Sequence, residues 1–195
     1  MAATISVVNN LTLDGVMQAP GGADEDTRGG FSHGGWAHAY QDPVLGEYLA
    51  SRMTGDGAML FGRRTYEQFA SFWPHQTDGN PFTEVLNRTT KYVVSSTLAD
   101  PTWANTVVVA TDPTAAVAEL KRSVDGTLTI LGSGVLCRSL MAAGLIDEYV
   151  LTIHPLVLGE GTRLFPDSGS TFGLELVESV PTTTGVLIAR YRPAA

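Results

Sequence analysis

The sequence predicts an α/β fold: a mostly parallel central sheet, helices on both faces, and an antiparallel hairpin at its C-terminal edge. Three observations carry that expectation. Short β-prone runs alternate with helix-patterned segments from Ile5 to Pro155, and such alternation builds parallel strands covered on both sides. Beyond them, two extended runs flank Thr182-Thr183-Thr184-Gly185, the pattern of an antiparallel hairpin. Apolar residues make up 44% of the 195 and charged residues 16%, the balance of a globular chain rather than a disordered one. No linker or internal repeat breaks the pattern, so residues 1–195 are expected to form a single domain.

Each element has a local reason. Ile5-Ser6-Val7-Val8 is β-prone and opens the sheet. A glycine-rich stretch follows from about Asp14 to Trp36, with Gly15, Gly21, Gly22, Gly29, Gly30, Gly34 and Gly35. Irregular segments above roughly 15 residues are uncommon in compact domains, so this one reads either as a functional lid or as a solvated surface excursion. Pro43 to Met53 is a helix: Asp42 is its N-cap, Pro43 takes the first helical position, and Leu45, Leu49 and Met53 recur at helical spacing. Gly57-Ala58-Met59-Leu60-Phe61 is the unbroken apolar run of a buried strand. Thr65 to Phe72 is helical until Pro74 stops it. Lys91-Tyr92-Val93-Val94-Ser95 and Thr106-Val107-Val108-Val109 are strands, and a helix from about Pro113 to Arg122 leads to the strand Leu128-Thr129-Ile130-Leu131. After Gly132-Ser133-Gly134 an apolar helix runs through Ala143 and closes on Gly144 as its C′ residue. Asp147 to Pro155 is a longer strand; Leu174 to Val180 and Val186 to Tyr191 form the hairpin.

Composition excludes several functions. No apolar run approaches the roughly 20 residues of a membrane helix, and the opening Met1-Ala2-Ala3-Thr4 lacks the basic and apolar regions of a secretory signal. The lone cysteine, Cys137, allows no intramolecular disulfide, which fits a reducing cytoplasm, and its apolar neighbours mark it as a small buried hydrophobe. The four histidines show no metal-ligand spacing. With a formal charge of −8 and no dense Lys/Arg run, the chain is not expected to bind nucleic acid.

Three segments place polar or backbone groups at the C-terminal end of a strand, where open α/β sheets bind ligands. In Phe61-Gly62-Arg63-Arg64-Thr65-Tyr66 a strand ends in glycine and two guanidiniums open a helix. Cations are disfavoured at the positive end of a helix dipole, so a bound phosphate there would relieve them; the competing reading is a pair of solvated arginines. Val93-Val94-Ser95-Ser96 offers hydroxyls for a ribose or its phosphate, or plain turn chemistry. Ile130-Leu131-Gly132-Ser133-Gly134-Val135-Leu136 lets backbone amides approach a pyrophosphate, or is a simple tight turn. It is not a full G-x-G-x-x-G fingerprint.

Taken in order, Gly62-Arg63-Arg64-Thr65-Tyr66-Glu67, Val94-Ser95-Ser96 and Gly132-Ser133-Gly134 resemble the cofactor-binding sequence of dihydrofolate reductases. They resemble still more closely that of the C-terminal reductase domain of the bifunctional riboflavin-biosynthesis deaminase-reductase. Leu13-Asp14-Gly15 is similar to that family's S-L-D-G opening, with Thr12 in place of Ser; Ala143 to Tyr149 and Pro155 to Gly161 resemble its later signatures. The resemblance implies a dihydrofolate-reductase-like three-layer fold and NADPH bound across the three junctions, the first opened by Gly62. It puts Arg63, Arg64, Ser95 and Ser96 on the 2′-phosphate side, and Thr65 with the amides of Gly132, Ser133, Gly134, Val135 and Leu136 on the pyrophosphate side. The glycine-rich stretch becomes a lid, and the family suggests a homodimer.

The chain also departs from these families. Gly132 stands where the riboflavin reductase carries a substrate-binding glutamate. Asp42 and Glu47 lie in the region where dihydrofolate reductases hold the pterin, without the matching spacing to Gly62; Asp42 also reads as a helix cap and Glu47 as a solvated residue. Asp14 either caps a turn with Gly15 or points into the pocket, and Trp36 either stacks on a planar substrate or anchors its loop. His33 and His38 are surface residues or proton donors, so the catalytic group is unassigned. The expected activity is NADPH-dependent reduction of a small heterocyclic or carbonyl-type molecule. Alternatives are a nucleotide-binding or sensing module without turnover, or a reductase using a flavin-type cofactor.

Overall fold

The computed structural model describes residues 2–52, 56–77, 79, 81–109, 112–165, 167 and 171–194. Eight strands form one sheet: β1 (Thr4–Thr12), β2 (Gly57–Gly62), β3 (Lys91–Val94), β4 (Thr106–Val109), β5 (Thr127–Leu131), β6 (Glu148–His154), β7 (Leu174–Pro181) and β8 (Leu187–Pro193). Their order is β4-β3-β2-β5-β1-β6-β8-β7, with β5 inserted between β1 and β2. Strands β4 to β6 of that order run parallel, and β8 is antiparallel to both β6 and β7. The sheet is that of the dihydrofolate-reductase-like class.

Five helices cover it: α1 (Pro43–Arg52), α2 (Arg63–Phe72), α3 (Pro81–Arg88), α4 (Pro113–Ser123) and α5 (Gly134–Ala142). The apolar run of β2 explains the layering, because successive side chains of a strand point to opposite faces. Ala58 and Leu60 join Ile5, Val7, Leu128 and Ile130 under Val117 of α4 and Leu136, Cys137 and Leu140 of α5. Met59 and Phe61 face the other way, into a cluster with Tyr66 of α2, Leu86 of α3, Val93 and Trp103. A strand buried on both faces needs apolar residues at every position, and β2 has them. Helix α1 is the exception among the five: none of its residues is buried. It is fastened at its ends, by Asp42 at its start and by the Arg52–Glu148 ion pair at its close.

Several boundaries differ from the sequence expectation. Strand β1 continues past Val8 to Thr12 because the parallel ladder with β6 is unbroken from Ser6↔Glu148 to Thr12↔His154. Helix α2 begins at Arg63 rather than Thr65, and the expected helix end at Met53 lies outside the described residues. Helix α3 was not expected at all. Its signals are Pro81 at the first turn and Phe82, Val85 and Leu86 at helical spacing, with Leu86 fully buried. Buried Lys91 ties its end to the sheet, donating to the carbonyls of Asn87, Thr89 and Ala104 and lying 4.5 Å from the Trp103 ring centre. Burial pushes that ammonium down to about 8, so it stays charged at neutral pH.

The glycine-rich stretch is folded, not a solvated excursion. Val16, Ala19, Phe31 and Trp36 are buried together, with Leu156 and Leu158 packed against them. Val16 bridges to Arg163, and the backbone passes itself so closely that a Cβ on Gly34 would lie 2.3 Å from the Ala23 carbonyl. Its edge reaches α2, where the Gln68 amide donates to the Glu25 carbonyl.

Candidate functional site: two helix starts beside an open face

Adjacent strands β2 and β5 each end and turn directly into a helix, which sets the starts of α2 and α5 side by side. Two hydrogen bonds join them, and a third ties the turn to β1. The Gly62 amide donates to Ser133 Oγ at 3.1 Å, the Ser133 amide donates to Thr65 Oγ1 at 3.1 Å, and Asn9 Nδ2 of β1 donates to the Gly132 carbonyl at 3.2 Å. Gly132 (φ +61°) and Ser133 (φ +51°) are both left-handed, a conformation glycine adopts without strain and serine does not. The turn is also crowded: a Cβ on Gly132 would meet Thr65 Cγ2 at 3.2 Å, and one on Gly134 would meet Met17 Sδ of the glycine-rich segment at 2.7 Å.

Neither helix start is capped by a side chain: Gly62 has none, and the Ser133 hydroxyl is turned to the Gly62 amide instead. First-turn amides have no acceptor within their own helix and carry the positive end of its dipole. Two such ends together make a surface that accepts an anion through backbone alone.

Around this junction the other sequence candidates divide. Gly62, Thr65, Gly132, Ser133 and Gly134 converge. Val135 is exposed, while Leu136 turns into the core. Arg63 is paired with Glu67 one helical turn on, at 2.9 and 3.0 Å, and Arg64 is exposed. The carboxyl of Asp26 is held low, chiefly by Arg28 and in small part by Arg64. Ser95, at the end of β3, accepts from the amides of Thr97 and Leu98 at 3.1 and 3.0 Å, which makes it a turn cap; Ser96 beside it is exposed.

Asp14, Asp42 and Trp36 are committed to structure, and Glu47 and His33 lie at the surface. Asp14 accepts from the Thr12 hydroxyl (2.6 Å) and the Leu158 and Gly159 amides (3.2 and 2.9 Å). Burial opposes its charge, but these bonds outweigh it and its pKa is lowered. Asp42 accepts from the Val44 amide at 2.7 Å as the N-cap of α1, and from the Thr183 amide (2.7 Å), Thr183 hydroxyl and Thr184 amide (3.2 Å) of the β7–β8 turn. The Thr183 hydroxyl does most to hold its carboxyl below the usual range. Glu47 is exposed on α1. Trp36 donates its indole N–H to the Gln18 carbonyl at 2.7 Å and anchors the glycine-rich segment. His33 faces Glu160 at 3.2 Å on the surface, and His38 contacts the Gly21 carbonyl. Cys137 is buried, which pushes its thiol up to about 12 and leaves it a neutral hydrophobe.

One group was missed from the sequence. On the face beneath α1, Asn10 of β1 lies opposite Thr152 of β6, with His154 at the end of that strand. Asn10 Oδ1 accepts from Thr152 Oγ1 at 2.7 Å and faces His154 Nε2 at 3.1 Å. His154 is 1% exposed, its Nδ1 has no hydrogen-bond partner among the described residues, and the rings of Trp36 and Tyr40 stand edge-on to it at 5.0 and 5.4 Å. Burial pushes the imidazole down to about 4. A sequence separation of more than 140 residues hides this cluster from any local pattern.

Comparison with known proteins places the chain. Residues 3–188 match the family described as the RibD C-terminal domain. A curated relative, the uncharacterized protein YyaP of Bacillus subtilis (strain 168), is 25% identical over 180 residues, covering 91% of this chain and 88% of the relative. Among solved structures, a putative riboflavin biosynthesis protein from Shewanella sp. PV-4 superposes with a TM-score of 0.75 at 20% identity over the full length of both chains. A pyrimidine reductase-like protein from Corynebacterium diphtheriae gives 0.67 at 16% identity, covering 99% of this chain and 92% of that one. Dihydrofolate reductase from Enterococcus faecalis, complexed with NADP(H) and RAB-propyl, gives 0.62 at 14% identity over both full chains.

Proposed function

The chain belongs to the RibD C-terminal domain family, and on that premise we propose that it is an NADPH-dependent reductase of a small heterocyclic or carbonyl-type molecule. The observation that carries the proposal is the pair of uncapped helix starts locked together by Gly62, Thr65 and Ser133. A dinucleotide pyrophosphate suits such a place, because the positive ends of two helix dipoles meet there, and Gly132 and Gly134 let the turn close against Thr65 and Met17, where a Cβ would collide. The Enterococcus faecalis enzyme of the same fold is described with NADP(H) bound.

In this reading the amides of Gly132, Gly134, Val135 and Leu136 and the Thr65 hydroxyl hold the pyrophosphate, while the Ser133 amide, already donated to Thr65 Oγ1, fixes the turn. Arg63, Arg64, Ser95 and Ser96 take the 2′-phosphate end, where guanidiniums suit a dianion. The cofactor supplies hydride; the protein positions the two molecules and excludes water. The glycine-rich segment, with Met17 against Gly134, covers the junction from above. Titration with NADPH tests the reading directly. Enhanced nicotinamide fluorescence that saturates supports it, and no binding at millimolar cofactor rejects it.

A second reading, a nucleotide-binding module without turnover, draws on one observation. Asp14 and Asp42 spend their carboxylates on hydrogen bonds within the fold, and Gly132 supplies none. NADPH binding without oxidation across a panel of reducible compounds would favour it. The same proposal makes residues 1–195 one domain and the protein a cytoplasmic homodimer. Edge strand β7, with exposed Leu176 and Val177, is the surface that would pair, and sedimentation equilibrium reads the mass.

A further inference from the structure

The polar cluster of Asn10, Thr152 and His154 lies outside the proposed cofactor contacts, yet Asn10 is adjacent in sequence to Asn9, which meets the Gly132 turn. Asn9 reaches the Gly132 turn on one side of the sheet. Asn10, next along β1, projects to the other side, the side of Ser6, whose hydroxyl meets Glu148 and through it Arg52 of α1. Helix α1 buries none of its own residues here, and Asn10 is only half-buried.

The orientation of the Asn10 amide follows from its neighbours. Buried His154 is neutral above about pH 4 and carries one ring proton. Of its two nitrogens, Nε2 faces Asn10 and Nδ1 faces no partner. A buried N–H without an acceptor is rarer and costlier than a bare lone pair. The proton therefore sits on Nε2, and Asn10 must present oxygen to it. Thr152 has one hydroxyl proton and two acceptors in reach, the Asn9 carbonyl at 3.3 Å and Asn10 Oδ1 at 2.7 Å, and the shorter contact takes it. Both lone pairs of Oδ1 are then occupied, and the Asn10 NH2, which has no partner among the described residues, is left pointing away from them as a fixed pair of donors. Trp36 and Tyr40 hold the imidazole in place.

We propose that Asn10 selects the substrate of the reductase: its amide donors receive an oxygen acceptor, such as a ring carbonyl, on the molecule to be reduced, and disfavour a molecule that presents a donor there. This rests on the reductase reading given above. Recognition of this kind is strong because a wrong partner leaves two polar groups facing each other unpaired. His154 is the positioning residue, acting through the amide it locks.

Two probes with one ring system separate the cases at their exocyclic positions: quinazoline-2,4-dione carries carbonyl acceptors there, and quinazoline-2,4-diamine carries amino donors at the same two carbons. Each is titrated at pH 7 into the NADP+-treated protein. The wild type is expected to prefer the dione by about tenfold or more. Asn10→Asp keeps an oxygen for Thr152 and His154 but replaces the donors by a second oxygen, and is expected to prefer the diamine. His154→Phe frees the amide to turn, so the preference shrinks towards unity. No dione binding at millimolar concentration, equal affinities in the wild type, or an unchanged preference in Asn10→Asp overturns the proposal. NADP+ affinity, measured on the same samples, reports separately on the reductase reading. If NADP+ fails to bind, that reading falls, and the probe preference is still read on the protein alone.

Discussion

The two ends of the sheet's C-terminal side use polar groups in opposite ways. Where β1 and β6 end, nearly every carboxylate is spent on the fold: Asp14 ties two loop amides, and Asp42 caps α1 while holding the β7–β8 turn. Where β2 and β5 end, both helix starts are left without side-chain caps, and the one serine placed to cap α5 bonds across to Gly62 instead. A folded chain satisfies its buried polar groups, so the groups it leaves open are the informative ones. By that measure the β2/β5 junction and the Asn10 amide are the places to which the two proposals assign ligands. Of the carboxylates that look chemical in the sequence, Asp14 and Asp42 are architecture and Glu47 is exposed.

The sharpest way to break this contrast is acid. His154 belongs to the committed region and is neutral in the folded state down to about pH 4, against 6.5 for an ordinary histidine. Between those values the unfolded chain binds a proton that the folded chain refuses, so stability falls as pH falls and levels off below 4. The full difference is roughly 3 kcal/mol. Urea midpoints measured from pH 7 to 4 on the wild type and on His154→Phe isolate it, because the variant lacks this component while keeping the carboxylate contributions. Parallel curves for the two proteins would show that His154 is not buried as described.

Next in size is the open region. Gly132→Val puts a branched side chain on a left-handed residue already 3.2 Å from Thr65 at Cβ. NADPH affinity is expected to fall about a hundredfold, with a smaller loss of stability from the strained backbone. Equal affinity in the variant would mean the cofactor does not use this turn. Asp42→Ala should do the reverse. It removes the cap of α1 and leaves the Thr183 and Thr184 amides without their acceptor. The melting temperature is expected to drop by about 3–6 °C, with NADPH affinity unchanged.

What the sequence could disclose follows the same division. Local chemistry was legible: Asp42 caps α1 as its position before Pro43 implies, and Gly144 closes α5 with φ +63°. The convergence of Gly62 and Gly132 was legible only through their resemblance to a family, since 70 residues separate them. Helix α3 escaped because Pro74 and Pro81 punctuate the stretch leading into it and its apolar triplet is short. Asn9 and Asn10 resemble a turn, and only the ladder to β6 keeps them extended. The lock on Asn10 needs Thr152 and His154 from a distant strand, and no window of sequence contains all three.

The finest test concerns the arginines, where the sequence argument was right about the tension and incomplete about its relief. Two guanidiniums at a helix start are unfavourable to the dipole, which suggested a bound anion. Part of that tension is met internally: Arg63 is bound at both Glu67 oxygens within its own helix. Among the described residues Arg64 has no such partner, and it lies exposed near enough to Asp26 to help hold that carboxyl low. The two therefore should not contribute equally to a 2′-phosphate. Arg64→Gln is expected to weaken NADPH about five- to tenfold while leaving NADH unchanged, as charge-assisted bonds to phosphate imply. Arg63→Gln should cost about twofold, since its loss also frees Glu67 to repel the phosphate only weakly across solvent. Raising salt should narrow the NADPH difference between wild type and Arg64→Gln. If Arg63→Gln costs more, the Glu67 pair opens on binding and the guanidinium moves to the cofactor. If both variants lose NADH as strongly as NADPH, the arginines serve the helix start itself and the adenosine phosphate lies elsewhere.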